Sequence, residues 1–178
     1  MPTHIAFLRA INLGRNRKVP MAQLRTWLEE AGMTEVETYI QTGNVRFTSS
    51  TRRRARVEAL VEQVLAERCG FDVPTIVLSP VELTQVYDGA KLLEPVHADA
   101  RRYVTFLKTA PPADVVEQIN GWDTPGERAV VVDRAVHWTV PGPSQAARLS
   151  NTRIEKALGV ATTRDLKVVR TLAERWGG

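Results

Sequence analysis

Apolar positions along the chain change period several times, and each change marks an element. His4-Ile5-Ala6-Phe7-Leu8 is a short, mostly apolar run of the kind found in a buried strand, and it feeds directly into the polar stretch Arg9 to Lys18. Pro20 suits the first turn of a helix, where its missing N–H costs nothing. Met21, Leu24, Leu28 and Ala31 follow at helical spacing, with Trp27 on the edge of the stripe and Gly32 as the stop. From Val36 the period becomes two, with Val36, Thr38 and Ile40 on one face and Tyr39 and Gln41 on the other. Gly43-Asn44 predicts a tight turn, and Val45 to Thr48 a returning strand.

Ser49, Ser50 and Thr51 are placed to cap a second helix, whose Val57, Leu60, Val61, Val64 and Leu65 form an apolar stripe ending at Gly70. Val73 to Leu78 predicts a further strand. Ser79-Pro80-Val81-Glu82 follows capping-box logic and opens a short helix to about Ala90, with Leu83, Val86, Tyr87 and Ala90 inward. Leu93 to Arg101, containing Pro95, reads as a connection. Tyr103 to Leu107 then predicts a strand and Ala113 to Ile119 a helix. Ala129 to Val132 and Val136 to Val140 form a second hairpin, and helices cover Asn151 to Leu158 and about Arg164 to Trp176.

The order strand, helix, hairpin, helix therefore recurs at an offset of about a hundred residues, the size of one small domain. The expected fold is α+β, built of duplicated ferredoxin-like βαββα units packed as one protein, with an N-terminal unit over 1–92 and a C-terminal unit over 93–178. The second half shows no pattern for a final strand, so its sheet is expected to borrow one from the first unit.

Charge sharpens the first third of the chain. Met1 to Leu28 contains no acid but holds Arg9, Arg15, Arg17, Lys18 and Arg25; Thr38 to Val57 contains none but holds Arg46, Arg52, Arg53, Arg54 and Arg56. Between Asp72 and Asp99 the only Lys or Arg is Lys91. The formal net charge of +4 is thus concentrated where an anionic partner would dock. No apolar run approaches the roughly 20 residues that span a bilayer, and no secretory leader pattern is visible, so no membrane association and a cytoplasmic location are expected. The lone Cys69 fits a reducing compartment.

The loop after the first strand combines Gly14, a predicted helix N-terminus and several cations, which suits phosphate or carboxylate. It lacks the endings of a nucleotide P-loop or a dinucleotide fingerprint. Gln41, Thr42 and Asn44 at the hairpin tip donate and accept hydrogen bonds without changing charge. Arg9, Asn12, Gly14, Lys18, Gln41 and Asn44 are accordingly the candidate ligand-binding residues, with nucleic acid or a nucleotide phosphate as ligand. Catalytic equipment is scarce: neither segment contains His, Asp, Glu or Cys. His4, His97 and His137 lack metal-ligand spacing, so no metal or cofactor is expected. Ser144 and Ser150 read as caps, and Asp165 as a helix-dipole partner. Two alternatives remain: an enzyme acting on a phosphorylated or carboxylated small molecule through Arg9 and Lys18, and a structural or interaction protein.

The stretch Arg9-Ala10-Ile11-Asn12-Leu13-Gly14, then Lys18-Val19-Pro20-Met21, Leu24, Gly32 and Thr38 to Val45, resembles the bacterial family called domain of unknown function 1697. The resemblance continues through Leu149-Ser150-Asn151, Glu155 to Gly159 and Thr162-Thr163-Arg164. It implies a duplicated α+β architecture and no particular activity. Ala10 stands where members commonly carry Gly, and Asp165-Leu166-Lys167-Val168 stands where an Asn/Trp-rich stretch is usual.

Overall fold

The computed structural model describes residues 1–94, 98–142 and 147–178. Pro95, His97 and Ser144, which carry expectations above, lie outside the described residues. The chain divides into two compact units, Met1–Leu83 with Trp176–Gly178, and Thr84–Arg175.

In the first unit, β1 (Thr3–Leu8), α1 (Met21–Glu30), β2 (Thr34–Tyr39), β3 (Asn44–Thr48), α2 (Arg54–Cys69) and β4 (Thr75–Leu78) form an antiparallel sheet of order β2-β3-β1-β4. The apolar run of β1 is explained by its central position: it pairs with β3 on one side and β4 on the other, and Ile5 to Leu8 are all buried. The stripes of α1 and α2 pack on one face of this sheet, with Leu24, Leu28, Val57, Val61 and Leu65 meeting Ala6, Leu8, Val45 and Phe47.

α3 (Pro80–Gly89) follows, then a short 3-10 turn (Ala90–Leu92). Ser79 and Glu82 form the expected capping box: the Ser79 N–H donates to Glu82 Oε2 at 2.7 Å and the Glu82 N–H to Ser79 Oγ at 3.2 Å. Ser49 does not cap α2. Its Oγ accepts from the Thr51 N–H, and α2 begins one turn later, behind Arg53, with no side-chain cap.

In the second unit, β5 (Arg101–Leu107), α4 (Ala113–Asn120), β6 (Arg128–Val132), β7 (Ala135–Val140), α5 (Asn151–Leu158) and β8 (Ala161–Asp165) repeat the arrangement with sheet order β6-β7-β5-β8. α6 (Leu166–Trp176) ends the chain. Both units are complete ferredoxin-like βαββαβ folds, so the expected duplicated α+β architecture holds. The expectation of a missing last strand does not. β8 supplies it from within the second unit, pairing antiparallel with β5 from Tyr103↔Asp165 to Leu107↔Ala161. The strand escapes pattern reading because, apart from Ala161, its buried residues are polar: Thr162 and Arg164 are buried, with the Arg164 guanidinium donating at 2.9 Å to Thr162 Oγ1 and to the Thr163 carbonyl. A hydroxyl chain crosses the sheet, from Trp138 Nε1 to Thr105 Oγ1 at 3.0 Å and on to Thr163 Oγ1 at 2.7 Å.

Side chains cover backbone donors on two of the outer strands, β4 and β6. Glu58 and Glu62, one turn apart on α2, accept the N–H groups of Val77 and Thr75 on β4 at 3.0 and 2.8 Å. Asn120, ending α4, accepts the N–H of Val131 on β6 at 2.8 Å. Such bonds use backbone donors that would otherwise need water, and those to a charged acceptor are worth about 1.5–3 kcal/mol each.

His137 on β7 is buried, and its Nε2 and the hydroxyl of Thr139 have no hydrogen-bond partner among the described residues. Gly89 is opposite: a Cβ there would lie 2.9 Å from His137 Nε2, so only glycine leaves room for the ring. Burial, with the Arg102 guanidinium adding like charge, lowers the His137 pKa to about 4. The folded state thus keeps the ring neutral while the unfolded chain protonates it near 6.5, so stability falls as pH drops through 6.5 and stops falling, for this group, below about 4. His4, also lowered by burial, acts in the same direction. Replacing His137 by Phe is expected to remove on the order of 3 kcal/mol of that pH dependence. Urea midpoints of both proteins at pH 7 and at pH 4.5 read it: the gap between the two pH values narrows in the variant.

Candidate functional site

The rim of the first sheet is built where β1 ends. The Leu8 N–H donates to the Gly43 carbonyl at 2.8 Å and the Arg9 N–H to the Pro74 carbonyl at 2.9 Å, so the chain leaves the sheet between the β2–β3 hairpin tip and the start of β4. Beyond this point the loop turns through left-handed residues at Ala10, Asn12, Gly14 and Arg17, with φ of 54°, 54°, 63° and 54°. The hairpin tip adds Ile40 at 51° and Gly43 at 81°. For a residue with a Cβ this conformation costs about 1 kcal/mol or more, so the loop must be held.

Asn12 holds it. Its side-chain amide donates to the carbonyls of Val19 at 3.0 Å and Gln41 at 2.8 Å, and its oxygen accepts the Val19 N–H at 2.9 Å. One side chain therefore ties the loop to the base of α1 and to the hairpin. Arg17 closes the other side: its guanidinium donates to the carbonyls of Ala10 and Asp72, both at 2.6 Å, and lies over the Phe71 ring at 4.6 Å.

Of the residues expected to bind a ligand, Arg9, Asn12, Gly14, Lys18 and Gln41 all belong to this rim, and Asn44 lies just inside it. Asn44 is the first residue of β3, fully buried, and donates to the Tyr39 carbonyl and to Thr42 Oγ1, both at 3.0 Å. Asn12 and Asn44 thus serve the frame. Gly14, Arg15, Lys18 and Gln41 are exposed, and Arg15 and Lys18 have no ion-pair partner among the described residues. Leu13 and Ile40 are exposed apolar residues on the same rim. The arginine run Arg52, Arg53, Arg54 and Arg56 does not join it. β3 runs antiparallel to β1 with Thr48 beside Thr3 and Asn44 beside Phe7, so the run follows the opposite end of the sheet.

The second unit has a cavity of about 650 Å³ at the start of β5 and the end of β8. Its cationic lining is Arg101, Arg102, Lys167 and Arg170; Tyr87, Tyr103 and Leu166 supply apolar surface, and Asp99 and Asp165 carboxylates. Sequence reading missed this site because its residues come from three separated segments, around Tyr87, 98–103 and 165–170, and share no local motif. Among the described residues no group of three or more His, Cys, Asp or Glu is placed to hold a metal, and no helix is long and apolar enough to cross a membrane. Burial raises the pKa of the half-buried Cys69 thiol, which disfavours its thiolate.

A family model described as "Protein of unknown function (DUF1697)" matches residues 1–137, which include the whole rim. The chain belongs to this family. No curated protein matches it. The solved structure of the conserved bacterial protein SP0830 from Streptococcus pneumoniae is similar over 99% of this chain and 98% of its own, with a TM-score of 0.70 and 23% identity. At that identity the likeness is one of fold, and it extends through both units. Ala10 occupies a left-handed position that suits glycine, and Asp165, Leu166 and Lys167 line the cavity.

Two substitutions separate backbone demand from side-chain packing at the rim. A Cβ at Gly43 would lie 2.7 Å from Ile11 Cδ1 and 2.8 Å from Leu8 Cβ, at a φ that already disfavours one. Gly43→Ala is expected to destabilise the protein by about 1–3 kcal/mol. Ala10→Gly is expected to be neutral or stabilising by up to about 1 kcal/mol, the reverse of the usual sign, because relief of the left-handed penalty offsets the added freedom of the unfolded chain. Chemical denaturation of the two variants against the parent gives both values.

Proposed function

We propose that the rim formed by residues 9–18 and 40–43 binds a phosphate group of a nucleotide or nucleic acid. The observation that carries this reading is the division of labour in the loop. Asn12, Arg17 and Asn44 spend their polar groups internally on fixing the backbone, while Arg15 and Lys18 project charge from that fixed frame with no acidic partner among the described residues. A preorganised cationic loop loses little entropy when it takes up an anion. Gly14 adds a position where backbone can approach a ligand closely, and a Cβ there would meet nothing within 4 Å. Arg9, Lys18 and Gln41 are the side chains assigned to the ligand, joined by Arg15.

Fluorescence anisotropy with a labelled oligonucleotide and a labelled nucleotide, across a salt series, tests the reading. Binding at low salt should weaken steeply as salt rises. Joint replacement of Arg15 and Lys18 by Ala should weaken it at least about tenfold and flatten the slope by about two phosphate contacts. Absence of binding at low salt, or affinity indifferent to both residues, would refute the assignment.

A further inference from the structure

We propose that the cavity of the second unit is a separate binding site for a phosphorylated small molecule of about mononucleotide size. Its volume of about 650 Å³ falls in the range that encloses such ligands. A further recess of about 360 Å³ shares Tyr87, Arg102 and Leu166 with it and adds Lys91 and Glu94, so the space has a cationic lobe and an extension that adds one cation and one acid. That division fits a ligand with an anionic end and a polar body of no net charge.

The walls are fixed by bonds independent of any ligand. The Tyr103 ring stacks on Trp138 with centroids 4.5 Å apart. The Arg102 guanidinium donates to the carbonyls of Ala90 and Leu93 at 2.6 and 2.7 Å, which ties the 3-10 turn after α3 to the first residues of β5. Asp165 accepts the Lys167 N–H at 2.8 Å, so one carboxylate oxygen is committed to the start of α6. Arg170 is paired with Glu174 at 2.9 Å, a residue outside the lining.

Two cations of the lining are uncommitted. The Arg101 and Lys167 side chains are exposed and have no hydrogen-bond or ion-pair partner among the described residues. They come from β5 and α6, two elements brought to one rim by the β5–β8 pairing, in which Tyr103 stands beside Asp165. A planar guanidinium and a mobile ammonium facing one space are a suitable pair for a phosphate monoester, the first by bidentate contact and the second as a point charge. Asp99 remains available to accept from hydroxyls on the ligand body, which favours a sugar phosphate or nucleoside phosphate over inorganic phosphate.

Isothermal titration calorimetry with AMP, ribose 5-phosphate and inorganic phosphate tests this site apart from the rim. AMP or ribose 5-phosphate should bind more tightly than inorganic phosphate. For ribose 5-phosphate, which lacks the base of the nucleotides assigned to the rim, the pair Arg101→Ala and Lys167→Ala should cost at least tenfold, whereas the pair Arg15→Ala and Lys18→Ala should leave its binding within twofold. Both pairs lie on the surface, and circular dichroism verifies that they fold. No binding of either organic phosphate at millimolar concentration, binding of inorganic phosphate alone, or an affinity insensitive to Arg101 and Lys167 would overturn the proposal. Loss of binding only in the rim pair would reassign the ligand to the rim and overturn it equally.

Discussion

The hydrogen bond from the Leu8 N–H to the Gly43 carbonyl is the constraint from which the first unit's rim follows. It draws the hairpin tip onto the last residue of the central strand, so closely that the tip can carry no Cβ beside Ile11 and Leu8. With the tip fixed, the Gln41 carbonyl is in reach of Asn12, and Asn12 in turn fixes the entry to α1. Left-handed residues cost on the order of 1 kcal/mol each, and amide hydrogen bonds return about as much apiece. The loop is held by a near balance of these two quantities, by the Arg17 contacts and by Ile11, whose side chain is buried in the apolar core.

The second unit repeats the topology without repeating these devices. Its inward-facing polar residues are bound mostly within the sheet itself: Trp138, Thr105 and Thr163 form one chain across three strands, and Arg164 is held by its own strand. Glu127, just before β6, is buried and accepts from the Trp122 indole and from the N–H groups of Arg148 and Leu149, fixing the approach to α5. Ser150 then caps that helix, as expected, by accepting from the Arg153 N–H. The same strand order is thus reached by different residues, which is why the repeat is visible as a pattern of elements and invisible as a pattern of identities.

What could be read from the sequence was what apolar spacing encodes. The stripe of α2, the continuous run of β1, and the capping box of Ser79 and Glu82 all correspond to elements in place. β8 could not be read, because a buried Thr and Arg alternate there in place of Val and Ile. The segment 9–18 could be picked out by its glycine, asparagines and cations, yet which of them face inward depends on long-range partners. Asn12 meets a carbonyl 29 residues away and Arg17 one 55 residues away, and no local rule reports either. Glu58 is a similar case: within the helix it reads as a solvated acid, and only the position of β4 makes it a buried acceptor.

That use of Glu58 and Glu62 has a consequence for how the protein can meet another chain. Partners that dock by β-augmentation add a strand to a free edge and rely on its unpaired backbone donors. At β4 the donors of Thr75 and Val77 are already taken by carboxylates from the overlying helix, and an incoming strand would have to displace two charge-assisted bonds to begin pairing. The β4 edge is thereby closed to templated growth, and recognition on this side of the sheet is left to side chains and loops.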